Sequence, residues 1–249
     1  MAPNVLKNGS KKHRKDDENM QKPKVSIGVC VRNCEEYVGE AIESILDQDF
    51  SHSLIELIFV DDGSEDRTLS IIQGYVSKID FPARVYSTTW KGVGHARNIV
   101  VANARGDYIL WVDGDMILSK NYVRKLVEFM EQNSGAGAVK GKQALESGGN
   151  LLATLETYSR AAGRMVDYTS GTTYSKVLGT GGSIYRVKAL GQAGFFDENL
   201  KGYGEDSDIE IRIKKAGWSS YMTGAVFFER QKSTWKELWK RPASPPTTT

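Results

Sequence analysis

Cysteine is nearly absent: Cys30 and Cys34 are the only two among 249 residues. A disulfide framework is therefore excluded, and a reducing, cytoplasmic compartment is the expectation. Their close spacing, without a second Cys/His pair, is also a poor zinc signature. Cys30 reads as a small buried residue. Long apolar runs are missing as well. No stretch reaches the ~18 residues that a membrane span requires, and the N-terminus lacks the apolar centre of a signal peptide. No excess of one charge exists either. The 33 basic and 31 acidic residues leave a net charge of +2, too little to argue for a nucleic-acid partner. What is present is ordinary globular composition, 40% hydrophobic and 26% charged, with enough apolar side chains for a core.

Along the chain, residues 1–22 are polar and charged without periodicity ("KNGSKKHRKDDENMQK") and read as a solvated tail. One domain is expected over residues 23–230. Residues 231–249 are read as an amphipathic basic helix and a Pro/Thr tail. Within the domain, short apolar runs alternate with segments of helical spacing. "KVSIGVCV", "LIELIFVDD", "ARVYST" and "DYILWVD" read as strands. "EEYVGEAIESILDQ", "DRTLSIIQGYVSKI", "GHARNIVVANA" and "KNYVRKLVEFMEQ" read as helices. Strands that alternate with helices imply an α/β fold, with a mostly parallel central sheet covered by helices on both faces. After about residue 133 glycines crowd in, and helical spacing is left only near 151–166 and 204–216.

Two of the strands end in paired carboxylates, Asp61-Asp62 and Asp113-Gly114-Asp115. Each pair alone reads as a turn or a helix cap. Together they lie at the carboxyl edge of one sheet, where open α/β sheets bind ligands. Hard cations such as Mg²⁺ or Mn²⁺ take oxygen ligands, commonly one or two carboxylates with phosphate oxygens. Gly114 is expected to leave room for the two aspartates to flank a bulky ligand, and Asp62 can accept an N–H from a pyrimidine. "KGVGHARN" opens a helix with small residues suited to a phosphate, and Arg97 is a candidate fork for it. His95 reads as a structural polar residue. Glu205, Asp206 and Asp208 begin another helix, behind the aromatic and glycine-rich "FFDENLKGYG". Acidic residues there also complement the helix dipole.

Four segments in this order, "VSIGVCVRNCEEYVGEAIESILDQDF", "ELIFVDDGSEDRT", "GVGHARNIVVANARGDYILWVDGDMIL" and "GFFDENLKGYGEDSDIEIRIKKAGW", resemble the family 2 glycosyltransferases. The resemblance covers residues 24–240 and implies a GT-A-like, Rossmann-like fold. It implies inverting transfer of a sugar from a nucleotide-diphosphate donor, UDP-linked in preference to GDP-linked, to a hydroxyl or polyprenyl-phosphate acceptor, assisted by Mn²⁺ or Mg²⁺. It places Cys30, Arg32, Asn33, Asp61, Asp62, Arg97 and Asp113 around the donor. Asp113 and Asp115 stand as the DXD pair at the metal, and Gly181 and Gly182 on the acceptor side. Glu205 and Asp206 form the catalytic pair, with Asp206 as general base.

One departure is Phe228, which stands where many members carry a histidine that ligates the metal; the adjacent Glu229 would face the other way along a strand. Residues 232–241, "KSTWKELWKR", set tryptophans among basic residues. This suits peripheral contact with the cytoplasmic face of a membrane, or simple packing on the domain. Two rivals accompany this reading. A nucleotidyltransferase of similar fold would need a Gly-rich, Arg/Lys-bearing loop after the first strand, which "VCVRNCEEY" lacks. A non-catalytic nucleotide-sugar-binding scaffold gains weight from Phe228 and loses it to the intact "DGD" and "ED" pairs.

Overall fold

The computed structural model describes residues 22–144, 178–200 and 204–230. Eight strands form one sheet among these residues: β1 (Val25–Val31), β2 (Ile55–Asp62), β3 (Ala83–Thr88), β4 (Tyr108–Trp111), β5 (Met116–Leu118), β6 (Ala136–Gln143), β7 (Ser183–Arg186) and β8 (Ser219–Glu229). Six helices accompany them: α1 (Val38–Leu46), α2 (Thr68–Val76), α3 (Val93–Asn103), α4 (Tyr122–Gln132), α5 (Val187–Ala193) and α6 (Glu205–Lys215). The strand order is β3-β2-β1-β4-β7-β6-β8-β5. β3, β2, β1 and β4 are mutually parallel. β7 then runs antiparallel to both β4 and β6, β6 and β8 are parallel, and β5 closes the edge antiparallel to β8. The parallel arrangement expected from the sequence thus holds for the first half, and the glycine-rich second half makes the sheet mixed.

Both faces of the sheet are covered, which is why β2 is buried at all eight positions. Alternate residues feed two cores. Ile55, Leu57 and Phe59 pack with α1, α2 and α4 through Ile42, Ile45, Ile72, Leu126 and Met130. Ile58 and Val60 pack on the opposite side with Ala96, Val100, Ile109, Trp111, Tyr185, Ile209 and Ile213, from α3, β4, β7 and α6. α4 shows the cause plainly: Tyr122, Val123, Leu126, Val127 and Met130 form one buried stripe at helical spacing.

Glu56 is a carboxylate buried among these apolar residues. Its Oε1 accepts from Ser26 Oγ at 2.5 Å and from the Arg105 N–H at 2.6 Å, while Oε2 pairs with Arg84. Such pairing is what a charge taken out of water requires. No helix among the described residues is long and apolar enough to cross a membrane. The helical segment near 151–166 and the basic segment 232–241 lie outside the described residues.

Candidate functional site

The parallel strands β1, β2 and β4 present their carboxyl ends at one edge, and alternation decides which acids share a side. Asp62 follows Ile58 and Val60 onto the α3–α6 side. Its two carboxylate oxygens accept the N–H groups of Lys91 and Gly92, each at 2.9 Å. Cys30 packs on the same side. Burial pushes its thiol up to about 12, the Arg97 charge works against that, and Asp113 and Asp62 reinforce it. These interactions place Cys30, Asp62, Arg97 and Asp113 around one spot.

Arg97, from the first turns of α3, is 6% exposed. Its Nη1 donates to Glu205 Oε1 at 2.5 Å, and its guanidinium lies 5.5 Å from the Phe196 ring centre. Burial opposes the charge, yet Asp113, Cys30 and Glu205 hold the group above its ordinary value. The guanidinium is thus held by Glu205, with the Asp113 charge near enough to reinforce it. Glu205, also buried, is turned inward to hold Arg97. Its carboxylate is engaged by Arg97, next to the Asp206 with which the resemblance groups it.

The Gly179–Gly182 loop joins the two acidic constellations. A side chain on Gly181 would fall on Asp113 Oδ2, and one on Gly179 would lie 3.2 Å from Asp206 Oδ2. The DGD turn and the start of α6 therefore border the same loop, with Gly181 bare against one and Gly179 against the other. Gly182 (φ 71°) packs on Phe227 and Tyr122, whose hydroxyl donates to its carbonyl. Gly182 is thus an anchor for the loop; Gly181 and Gly179 face the acids. Gly179 escaped the sequence reading, although "LGTGG" repeats a bare position two residues before Gly181.

Several expectations take a different form. Asp61 does not join Asp62. It follows Leu57 and Phe59 onto the α1–α2 side, where Oδ2 accepts the Ser64 N–H at 3.2 Å and Oδ1 is buried without a hydrogen bond. Asn33 (φ 52°) clasps two loops: its N–H donates to Ser64 Oγ and its Oδ1 accepts from the Glu65 N–H. Gly114 does not open space for a ligand. A Cβ there would sit 2.9 Å from Val31 Cγ1 and 3.0 Å from Cys34 Sγ, so its bareness lets the DGD turn pack on the end of β1. Arg32 reaches the Gly63 carbonyl (3.4 Å) and Glu65 (3.7 Å) and stacks on Trp90 at 5.2 Å. His95 pairs with Glu198 at 2.8 Å, and Asn98 holds the same carboxylate and both backbone groups of Phe196. This fixes the loop before α6 onto α3.

For a divalent cation, the described residues hold no group of three His, Cys, Asp or Glu arranged as ligands. Asp113 and Asp115, two residues apart on the β4–β5 turn, suit a cation that takes its other ligands from phosphate oxygens and water. The Asp115 carbonyl accepts the Arg230 N–H at 2.8 Å, which fixes the turn to the end of β8. Phe228 pairs with Ile117 and offers no ligand atom; Glu229 pairs with Met116, one step along and so facing the other way.

The family model for glycosyl transferase family 2 matches residues 26–190. A probable glycosyltransferase of Bacillus subtilis, YdaM, is 28% identical over 237 residues, covering 90% of this chain and 55% of that protein. The poly(ribitol-phosphate) β-N-acetylglucosaminyltransferase TarS of Staphylococcus aureus is 32% identical over 110 residues, which is 44% of this chain and 19% of TarS. The chain therefore spans at most about half of these relatives. Among solved structures, TarS 1–349 in complex with UDP-GlcNAc superposes with a TM-score of 0.66 at 22% identity, over 85% of this chain and 59% of that one. The mannosyltransferase PcManGT of Pyrobaculum calidifontis, in complex with GDP-Man and Mn²⁺, gives 0.69 at 18%, over 88% and 60%. These likenesses establish the GT-A-like fold. With the matched family model over most of the domain, they lead to one conclusion: the chain belongs to glycosyl transferase family 2.

Proposed function

We propose that this domain transfers a sugar from a nucleotide-diphosphate donor, UDP-linked in preference to GDP-linked, to an acceptor hydroxyl with inversion. The observation that carries the reading is the meeting of Asp62, Arg97, Asp113 and Asp206 at one carboxyl edge, across a loop of bare glycines. Inversion is a single in-line displacement. The acceptor oxygen forms a bond to the anomeric carbon as the bond to the diphosphate oxygen breaks. The diphosphate leaves with the electron pair, and the acceptor proton passes to a carboxylate on the opposite side. Asp206, on the first turn of α6 and against Gly179, is the carboxylate proposed for that proton. Arg97 sits where positive charge favours the departing diphosphate. A Mn²⁺ or Mg²⁺ held by Asp113 and Asp115 would add charge stabilisation there. The preference for UDP rests on the intact Asp62 position, and GDP-Man in the PcManGT structure keeps GDP-sugars as the second donor class.

The test is donor binding and turnover with UDP-GlcNAc and GDP-mannose, with and without Mn²⁺. Asp206→Asn should bind donor as wild type does but lose at least about a hundredfold in turnover, the usual worth of a general base. Asp115→Asn should lose the Mn²⁺-dependent part of binding. If wild type binds neither donor, the reading fails. If Asp206→Asn turns over normally, the base is elsewhere, or the acceptor is a phosphate that needs none.

A further inference from the structure

We infer that Trp90, braced by Arg32, is the stacking wall for the nucleobase of the donor. This rests on the nucleotide-sugar reading above and adds a residue to it. Trp90 is 56% exposed, although tryptophan is usually well covered in folded proteins. Its neighbours nonetheless fix its place. The Arg32 guanidinium lies 5.2 Å from its ring centre, and Arg32 is itself tied to the Gly63 carbonyl and to Glu65. Gly63 has φ 74°, and a Cβ there would come within 2.7 Å of the Trp90 nitrogen, so the turn after β2 packs directly on the Trp90 backbone. The two residues after Trp90 are fixed by the Asp62 carboxylate.

Three neighbouring strands thus contribute to one rim: β1 leads to Arg32, β2 ends in Asp62 and the Gly63 turn, and β3 leads to Trp90. Their order β3-β2-β1-β4 puts Trp90 and Asp113 at opposite ends of a shared edge. Three strand spacings separate them, roughly 14 Å. A nucleoside diphosphate laid along that edge sets its diphosphate at Asp113 and Arg97 and its planar base at Trp90. The exposed indole supplies the π-face, and Arg32 adds charge that strengthens stacking. Because every base has a π-face, Trp90 contributes affinity for the base, and the choice of base falls to hydrogen-bonding groups such as Asp62.

The test compares wild type, Trp90→Ala and Trp90→Phe, titrated calorimetrically with UDP and with GDP in the presence of Mn²⁺. Trp90→Ala should weaken binding by about fivefold to a hundredfold, as stacking losses do for single bases, with an unchanged melting temperature. Trp90→Phe should restore most of the affinity. UDP should quench wild-type tryptophan emission, and Trp90→Phe should lose most of that quench while it still binds. If wild type binds nucleotide and Trp90→Ala binds it equally, this inference is overturned and the donor reading stands. A lowered melting temperature that accounts for the lost binding, with no recovery in Trp90→Phe, overturns it as well. If wild type binds neither nucleotide, both readings fall together.

Discussion

The Arg97–Glu205 pair offers the sharpest test of how the site is held. The two side chains are 8% and 7% exposed and meet at 2.5 Å, joining α3 to α6. Removing one member of a buried pair leaves the other charge without its partner and typically costs about 3–5 kcal/mol. Glu205→Met should fall near the lower end, about 3 kcal/mol, because Asp113 still faces Arg97. For a domain of this size each kcal/mol is worth about 2–4 °C in melting temperature, so a drop of about 6–12 °C is expected by calorimetry. Arg97→Met should cost at least as much, since it leaves both Glu205 and Asp113 uncompensated. The double variant should be less destabilised than the sum of the singles by at least about 1 kcal/mol, within the range seen for contacting residues. Donor binding should be lost in Arg97→Met and weakened in Glu205→Met, where Arg97 is free to shift. Additivity within about 0.5 kcal/mol, or a Glu205→Met melting temperature within about 2 °C of wild type, would refute the account of Arg97 as a residue held in place by Glu205.

Three further outcomes are expected. Gly181→Ala would press a methyl group onto the Asp113 carboxylate; donor binding with Mn²⁺ should drop by at least about tenfold by calorimetry, and a wild-type affinity would show that Asp113 has no fixed role there. Glu56→Ala would strip one buried and two part-buried donors of their acceptor, and a loss of about 3 kcal/mol in urea unfolding is expected. Glu198 is held below the ordinary glutamate value, first by the Asn98 amide and then by His95. A depressed carboxyl contributes stability above its unfolded pKa and loses it as pH falls through the lower folded value. Glu198→Gln should therefore flatten the acid limb of the stability profile below about pH 4.5, by a small amount because the group is half exposed.

Most of the alternation of strands and helices through α4 could be read directly, because strands show as short apolar runs and helices such as α1 and α4 carry apolar residues at helical spacing; the short β5 after the DGD turn could not. The acids at the strand ends could be read for the same reason: once β2 and β4 are parallel neighbours of β1, their carboxyl ends share an edge. The division of Asp61 from Asp62 could not. β2 is apolar on both faces, so no polar alternation in "IELIFVDD" marks which side is which. Gly114 was misjudged because its bareness serves a contact with Val31 and Cys34, about 80 residues away in sequence. The engagement of Arg97 by Glu205 spans 108 positions, and an isolated arginine in "HARN" carries no trace of its partner. The strand pairings after residue 133 were also hidden. β6 and β8 pair in parallel with two register shifts, across segments rich in glycine and short of apolar periodicity. Trp90 carried no periodic signal at all, and only its exposure in the fold draws attention to it.

The split of Asp61 and Asp62 across the sheet makes this dipeptide a reporter of frame. Because side chains in a strand change sides at every step, deleting one residue anywhere within Ile55–Val60 would swing the acid that fastens Lys91 and Gly92 to the underside of the sheet. The helix-opening loop would lose its tether even though the deleted position lay far from it. Length variation in this domain should accordingly be tolerated in the loop before β2 and forbidden inside it, and a deletion scan from Ser51 to Asp62 would map that boundary residue by residue.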